Sequence, residues 1–145
     1  MADCLFCGIV AGTVPAFKVV DDPSGIGFLD IRPVFKGHVL VVPRPHVPEL
    51  VSLPPDLVPG FFTLVQAVAA AVPAALGAKG TFVAVNNNVS QSVPHLHAHV
   101  VPRTKGDGLR GFFWPRTKYA SDEEASSYAS QIGKELGSSG VESAG

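Results

Sequence analysis

Apolar and polar residues alternate strictly from Pro94 to Val100, the first part of the segment 94–103, which contains three of the five histidines of the chain. His95, His97 and His99 are separated by single apolar residues. Because the side chains of a β-strand alternate between its two faces, this pattern predicts a strand with all three imidazoles on one face. A helix would scatter the three rings over most of its circumference. The apolar residues assigned to the opposite face, in the core, are Leu96, Ala98 and Val100.

Short apolar segments bounded by turn residues predict the rest of a sheet. They indicate four further strands, at residues 17–21, 26–30, 38–43 and 80–85. The first two are joined by the turn Asp22–Gly25, and the third is almost continuously apolar, which is typical of a strand covered on both faces. A polar turn at residues 86–92 leads into the histidine segment and could supply amide and backbone donors to a site.

Two helices are predicted on the same grounds. Leu, Val, Phe and Ala recur at helical spacing over residues 56–76, after a Ser- and Pro-containing start signal. Gly77 is expected to stop this helix, and Pro73 to end or kink its last turn. A second helix is predicted at residues 121–136, because it opens with the capping-box sequence Ser-Asp-Glu-Glu.

Composition narrows the class of protein. The chain has 145 residues, of which 46% are hydrophobic and 16% charged, so a single globular domain with its own core is expected. A net charge of −1 disfavours broad electrostatic binding to polymeric nucleic acid or to an anionic membrane, although a single nucleotide remains possible. No signal peptide is evident, and the apolar segment 64–76 is short and contains Pro73. We therefore expect a cytoplasmic protein without a membrane span.

Cys4 and Cys7 are the two cysteines of the chain and stand three residues apart. This spacing favours metal or redox chemistry over a structural disulfide. A redox pair is expected at the start of a helix after a central strand, a context that position 4 does not favour. The pair fits half of a tetrahedral zinc site, but on its own it is equally consistent with two small buried residues.

The three alternating histidines allow three interpretations: structural residues at a sheet edge, ligands of a catalytic metal, or metal-free histidine catalysis. His95 and His99 lie four residues apart, which is roughly 13 Å along a strand. All three therefore cannot bind one ion. One end of the strand could hold a metal while the other performs chemistry.

The segment His95–Val101 resembles the His-x-His-x-His-x-x signature of the histidine triad (HIT) superfamily, in which x is apolar. Residues 28–33 resemble the nucleoside-binding strand and turn of that family, and residues 37–46 resemble its Gly-His-x-Leu-Val-x-Pro strand. The pair Cys4–Cys7 resembles a zinc half-site common among its bacterial members. The resemblance spans about residues 3–115 in the expected order.

The resemblance implies a nucleotide site. His97 matches the histidine that attacks the α-phosphorus of a nucleotide, and it implies a nucleotidyl-histidine that water then hydrolyses. His99 matches a histidine that hydrogen-bonds the phosphate, and His38 one that helps to position the triad. The other matching positions are Gln91 and Ser92 at the phosphate and leaving group, Asp30 at the ribose hydroxyls, Phe28 and Ile31 at the base, and Asn86 at the mouth of the site.

The resemblance also implies a structural zinc ion, with Cys4, Cys7, His46 and His95 as a closed Cys2His2 set. Such an ion would attach the N-terminus to the sheet and orient His95, and it would not activate water.

Two regions depart from the family pattern. The turn from Asn86 to His95 is about two residues shorter than usual, and Ser90 replaces a glycine that commonly precedes the glutamine. The segment 110–115 matches loosely, so Trp114 either lines a leaving-group pocket or packs the last helix.

Taken together, the elements and the resemblance predict an α+β fold, an antiparallel sheet of about five strands carrying helices 56–76 and 121–136. We expect one HIT-like domain at residues 1–137, a flexible tail at 138–145, and a homodimer that pairs through the long helix and an edge strand. The expected activity is cleavage at the α-phosphate of purine nucleotide conjugates, either phosphoramidates or dinucleoside polyphosphates. The alternatives are a zinc hydrolase, which the strand length disfavours, and a non-catalytic nucleotide-binding module.

Overall fold

The structure is a computed structural model that describes residues 3–109 and 116–138. Trp114 and residues 139–145 lie outside the described residues, so the predictions for this tryptophan and for a flexible tail stay predictions. The chain divides into two compact units, Met1–Asp107 and Gly108–Gly145, each described by itself below. The predicted domain boundary at residue 137 likewise stays a prediction.

The first unit is an α+β fold around one antiparallel sheet of five strands in the order β1-β2-β3-β5-β4, as predicted. Its helices and strands are α1 (Leu5–Ala11), β1 (Lys18–Asp22), β2 (Gly25–Leu29), β3 (Val39–Val42), α2 (Val58–Leu76), β4 (Gly80–Val85) and β5 (Ala98–Arg103). Two 3-10 turns, Leu50–Ser52 and Pro55–Leu57, precede α2. The helix α1 was not predicted, and it determines much of the site described below.

The sheet has a hydrophobic layer on each face. On one face α2 packs against Val39, Val41 and the apolar residues between the histidines. On the other face a smaller cluster contains Phe6 and Ile9 of α1 together with Leu40 and Val42. Successive residues of β3 therefore enter opposite layers, which confirms that this strand is covered on both sides.

The turn between β1 and β2 has two residues, Pro23 and Ser24, at the predicted position. The Asp22 side chain accepts a hydrogen bond from the Ser24 N–H at 2.8 Å, which stabilises the turn. Gly25 follows and opens β2 at a point of close approach between strands. A Cβ atom built on Gly25 would overlap the carbonyl oxygen of Val42 and would lie 3.2 Å from the Leu64 side chain.

We expect Gly25→Ala to lower the free energy of unfolding by about 1–3 kcal/mol, because the overlap involves backbone that cannot rotate away. Gly80→Ala in β4 is the matched control, since no heavy atom lies within 4 Å of its Cβ position. Urea unfolding monitored by circular dichroism compares the two variants. Equal losses of stability in both would contradict the close approach at Gly25.

The helix α2 continues through Pro73 to Leu76, so the expectation that Pro73 ends it was wrong, and the alternative that Pro73 kinks the last turn stays a prediction. Pro73 cannot donate a backbone hydrogen bond, but Val72 beside it is buried in the core and holds the last turn on the sheet. The predicted stop is confirmed: Gly77 is left-handed, with φ of 72°, and its N–H donates to the Pro73 carbonyl at 2.9 Å.

With its preceding 3-10 turn, α2 forms a 22-residue segment, Pro55–Leu76, that is long and apolar enough to cross a membrane. The expectation that no apolar segment approaches this length was wrong, because Pro73 does not interrupt it. One such helix is weak evidence of a membrane span, since core helices share the property. Its buried residues are Phe61, Leu64, Val65, Val68 and Val72, and they belong to the same core as the sheet.

The second unit contains α3 (Asp122–Ser138), close to the predicted helix. Ser121 accepts a hydrogen bond from the Glu124 N–H at 3.1 Å, as a capping box requires. In an ideal capping box the Glu124 carboxylate would accept the backbone N–H of Ser121. Here it accepts the N–H of Ala120, one residue earlier, at 2.9 Å. The predicted packing of this helix on the sheet stays a prediction.

Candidate active site and metal cluster

The N-terminal cysteines are held by the start of α1. Cys4 is the N-cap residue, and its Sγ accepts a hydrogen bond from the Cys7 N–H at 3.4 Å. Gly12 ends the helix in the left-handed conformation, with φ of 80°. The helical spacing of Phe6, Ile9 and Val10 before this glycine was the signal from which α1 could have been predicted.

The four predicted metal ligands converge in the structure. The Nδ1 atom of His95 lies 3.5 Å from the Sγ atoms of both Cys4 and Cys7, and Nδ1 of His46 lies 3.3 Å from Sγ of Cys7. All four candidate ligand atoms lie within 4.8 Å of one another. Tetrahedral zinc with ordinary Zn–S and Zn–N bonds separates S from N by about 3.6 Å, so the donor set and its spacing fit a zinc ion.

Hydrogen bonding orients His95 for this role. Its Nε2–H donates to the Pro43 carbonyl at 3.1 Å, which leaves the lone pair on Nδ1 facing the thiols. Burial lowers the pKa of His95, and the neighbouring His46 and His97 lower it further, so the imidazole is held in the neutral form that binds metals. Burial and the adjacent Cys4 raise the pKa of Cys7, a shift that a bound cation would oppose.

The histidine segment is only partly a strand. The alternation is confirmed, because Leu96, Ala98 and Val100 lie in the core beneath α2 while His97 contacts α1. However, β5 begins at Ala98, whereas the strand was predicted from residue 94. The physical reason is that β3 ends before Pro43, which lacks an N–H; beyond that point Leu96 donates to the Val47 carbonyl at 2.7 Å.

His97 is buried, and its Nδ1–H donates to the backbone carbonyl of His95 at 2.8 Å. This bond determines the tautomer, so the lone pair resides on Nε2. A neutral imidazole with a free Nε2 lone pair is a competent nucleophile near neutral pH.

His38 and His99 form a directed hydrogen-bond relay. The backbone N–H of Val34 donates to Nδ1 of His38 at 3.1 Å, so the His38 proton must be on Nε2. This Nε2 lies 3.0 Å from Nδ1 of His99 and donates to it. The proton of His99 is therefore on its own Nε2, which makes this atom a hydrogen-bond donor even when the ring is neutral.

The pKa values of both relay histidines, His38 and His99, are lowered. Burial lowers the pKa of His38 against the opposing effect of Asp30. Burial, together with His97 and His38, lowers the pKa of His99 to about 4. Both rings are therefore neutral near pH 7.

Asp30, His38 and His99 also lie close enough together to suggest a second metal site. The hydrogen bonds provide a different explanation, since the accepting nitrogens of both rings already have donors. The Asp30 carboxylate is 3.8 Å from Nδ1 of His38, too far for a hydrogen bond, and it accepts the Arg32 N–H at 2.9 Å.

A cavity of about 310 Å³ adjoins these groups. Six predicted site residues line it: Phe28, Asp30, Ile31, Ser92, His97 and His99. Phe6, which sequence reasoning missed, lines it as well. Another cavity, of about 420 Å³, lies between α2 and the β1–β2 hairpin and is lined by aliphatic residues and Gly37, without a titratable group. Of these two cavities, only the first is therefore lined by titratable groups.

Gln91 and Asn86 are not among the lining residues of that cavity. The Gln91 side chain instead accepts the Asn88 N–H at 2.9 Å and donates to the Pro48 carbonyl, which ties the loop to the chain after β3. Ser90 adopts a left-handed conformation with φ of 59°, which glycine would adopt without a steric cost.

The lowered pKa of His99 predicts that the protein loses stability in acid. The unfolded chain binds a proton near pH 6.5 and the folded chain only near pH 4, so this contribution is complete above pH 6.5 and is lost as the pH falls towards 4. Between pH 8 and pH 5 we expect a loss of about 2 kcal/mol from this group. Urea unfolding of the wild type and His99→Gln measures it. An equally steep pH dependence in the variant would contradict the assignment.

Fold and site together define a class of α+β protein in which a histidine-lined cavity lies beside a Cys2His2 cluster on one face of an antiparallel sheet. The HIT domain family matches residues 11–106. Because this match covers more than half of the sequence, the chain belongs to the HIT family.

Relatives in the family agree with this assignment. The Protein hit of Bacillus subtilis is 35% identical over 140 residues, which are 94% of this chain and 97% of that protein. The adenosine 5′-monophosphoramidase hnt1 of Schizosaccharomyces pombe is 32% identical over 122 residues, 83% of this chain and 89% of that protein. The family thus includes a protein named as an adenosine 5′-monophosphoramidase, which supports a nucleotide hydrolase function at the level of the family.

Solved structures confirm the predicted fold. SMU.412c from Streptococcus mutans has a TM-score of 0.86 and 34% identity over 94% of this chain and 87% of that chain. A zinc-bound histidine triad family protein from Mycobacterium smegmatis has a TM-score of 0.71 and 35% identity over 92% of this chain and 98% of that chain. The second similarity supports zinc as the metal that the Cys2His2 cluster fits.

Proposed function

We propose that this chain is a nucleotide hydrolase that cleaves purine nucleotide conjugates at the α-phosphate, with His97 as the nucleophile. The observation that carries the proposal is the hydrogen bond from His97 Nδ1–H to the His95 carbonyl, which leaves the Nε2 lone pair of a cavity-lining histidine available.

In the proposed reaction Nε2 of His97 attacks the α-phosphorus. The new N–P bond forms as the bond from phosphorus to the leaving group breaks, and the leaving group takes the electron pair and a proton from solvent. Water then attacks the same phosphorus and gives up a proton to solvent, which breaks the N–P bond, releases the nucleoside monophosphate and regenerates the imidazole. Two attacks of moderate difficulty replace one difficult attack by water.

The relay histidines support this chemistry. The Nε2–H of His99 is a fixed donor on a neutral ring, positioned to hydrogen-bond a phosphate oxygen as charge accumulates on it. His38 determines this tautomer through Val34, and it is not among the residues that line the cavity. We assign the Ser92 hydroxyl to the leaving-group side of the same cavity.

The remaining cavity residues suit a nucleoside. The Asp30 carboxylate can accept hydrogen bonds from both ribose hydroxyls, and Phe28 and Ile31 offer apolar surface to a purine. Asn86 and Gln91 are assigned to the mouth of the site by resemblance alone.

We propose that the Cys2His2 cluster holds a structural zinc ion. Four protein ligands complete a tetrahedron and leave no position for water, so a zinc hydrolase mechanism is not supported. We also propose a cytoplasmic homodimer that pairs through α2 and β4, because β4 is an edge strand of the sheet.

AMP release from adenosine 5′-phosphoramidate and from diadenosine tetraphosphate, assayed side by side, tests the proposed function. Release from the phosphoramidate is expected, in keeping with the monophosphoramidase of S. pombe. Preference for the dinucleotide would instead assign the chain to polyphosphate cleavage. AMP binding without release from either substrate would overturn hydrolysis and favour the non-catalytic binding module.

A further inference from the structure

Phe6 occupies a position that connects the metal cluster to the proposed nucleophile. It lies between Cys4 and Cys7 in the sequence, on the first turn of α1, and is 4% exposed. Its ring is nearly perpendicular to the His97 ring, at 86°, with 5.1 Å between their centroids. The same ring contacts Phe28 edge-on at 5.3 Å. Phe6 therefore touches both the candidate nucleophile and the candidate base-binding wall.

We propose that Phe6 is a positioning residue for His97, and that through it occupancy of the metal cluster is thermodynamically coupled to nucleotide binding. This inference rests on the proposed function for the identity of the nucleotide and of the nucleophile. The coupling itself rests on the contacts of Phe6.

His97 needs more than its hydrogen bond to be held in one orientation. The bond to the His95 carbonyl determines which nitrogen carries the proton, but it holds only one edge of the ring. Rotation about the Cβ–Cγ bond is broad for histidine and is limited mainly by packing. The Phe6 ring limits this rotation and keeps water from one side of the imidazole. Small misplacements of a reacting group are expensive in rate, about 10²-fold for 1 Å.

The metal ligands support the two groups that hold His97, which are the Phe6 ring and the His95 carbonyl. Cys4 and Cys7 flank Phe6, so an ion that draws their Sγ atoms together also holds the first turn of α1 against the sheet. His95 faces the cluster with its ring and holds His97 with its carbonyl. Loss of the ion loosens both supports at once, and with Phe6 it loosens the Phe28 wall of the cavity.

Thermodynamic linkage requires that the effects of metal binding and nucleotide binding on each other be equal. If a bound metal ion strengthens nucleotide binding by some factor, bound nucleotide strengthens metal binding by the same factor. We expect a factor of about 5 or more, at the lower end of the usual range for coupled sites.

The competing explanation is that Phe6 only fills the apolar cluster beneath α1. Phe6→Leu preserves apolar volume but removes the ring, and Val10→Ala is the matched control. Val10 is on the same helix and packs on the same cluster, but it does not line the cavity. A packing role would affect the two variants alike.

The first measurement is made on the zinc-loaded proteins with adenosine 5′-phosphoramidate. We expect kcat of Phe6→Leu to fall about 10-fold or more with a smaller change in KM, and Val10→Ala to retain kcat. Nitrogen-15 NMR of the His97 ring should show a single Nδ1–H tautomer in the wild type and in Val10→Ala, and averaged signals in Phe6→Leu. Unchanged kcat and ring signals in Phe6→Leu would overturn the positioning role.

The second measurement tests the coupling by binding alone. AMP affinity is measured by calorimetry with and without zinc, and zinc affinity by competition with a chromophoric chelator, with and without AMP. In the wild type we expect zinc to strengthen AMP binding by the same factor as AMP strengthens zinc binding. In Phe6→Leu we expect neither ligand to affect the binding of the other. An AMP affinity independent of zinc, or full coupling in Phe6→Leu, would overturn the inference. If the metal-free chain unfolds, the zinc competition arm decides the question.

The two proposals fail separately. AMP binding that is coupled to zinc, without turnover in the wild type, would remove the hydrolase and leave the coupling intact. If turnover is lost in His97→Ala but is unchanged in Phe6→Leu, the proposed hydrolase function stands and the role of Phe6 is overturned.

Discussion

Replacement of His97 by alanine is expected to lower the rate of AMP release by at least about three orders of magnitude. The variant lacks the atom that forms the bond to phosphorus in the proposed reaction, and neither His38 nor His99 can replace it. The accepting nitrogen of each of these rings is already bonded to a donor, and the other nitrogen carries the proton. AMP should still bind, because Asp30, Phe28 and Ile31 remain in the cavity.

Three controls make this experiment specific. Circular dichroism should show that the variant is folded. This control is needed because His97 is buried and its removal leaves a small void. AMP binding should survive, and added imidazole should restore part of the turnover by occupying that void. Turnover at the wild-type rate would assign the nucleophile elsewhere, and loss of both binding and turnover would indicate a damaged cavity.

Removal of the metal ligands is expected to have the largest effect on stability. The double variant Cys4→Ser/Cys7→Ser should bind no zinc and lose several kcal/mol of unfolding free energy, equivalent to roughly 10 °C or more in Tm. The physical reason is that the cluster joins Cys4 and Cys7, at the start of α1, to His46 after β3 and to His95 before β5. Without it, α1 is held mainly by Phe6 and Ile9.

The matched control is the wild type treated with a chelator, which should unfold at the same temperature as the double variant. Metal analysis of the untreated protein should give about one zinc per chain. A wild type that contains no zinc after mild purification, or whose Tm is unchanged by the chelator, would contradict a structural metal.

Much of the fold and of the site could be predicted from local patterns. The two-residue period of the histidine segment required one face for the imidazoles and another for Leu96, Ala98 and Val100, and the structure has this arrangement. A period reports orientation relative to the chain. It does not report where strand pairing stops, because the start of β5 at Ala98 depends on Pro43, the residue that follows the neighbouring strand β3.

The unpredicted features are those decided by tertiary contacts. Pro73 suggested a helix end, but burial of Val72 in the core keeps the last turn of α2 helical. Phe6 looks like any apolar residue between two cysteines, and its contact with His97 exists only once α1 lies across the sheet. The Val34 N–H that sets the tautomer of His38 is a backbone group, which no side-chain pattern can indicate.

The sequence separation within the metal cluster has a consequence for synthesis of the protein. Cys4 precedes its partner His95 by 91 residues. At ribosomal rates of about 5–20 residues per second, the two cysteines are made roughly 5–20 s before the last ligand. During that interval the thiols lack the complete tetrahedral set and are open to peroxide or to disulfide exchange. With the proposed zinc ion bound, the four ligands of the finished protein would close around it, so we expect a nascent chain to be more vulnerable to oxidation than the finished protein.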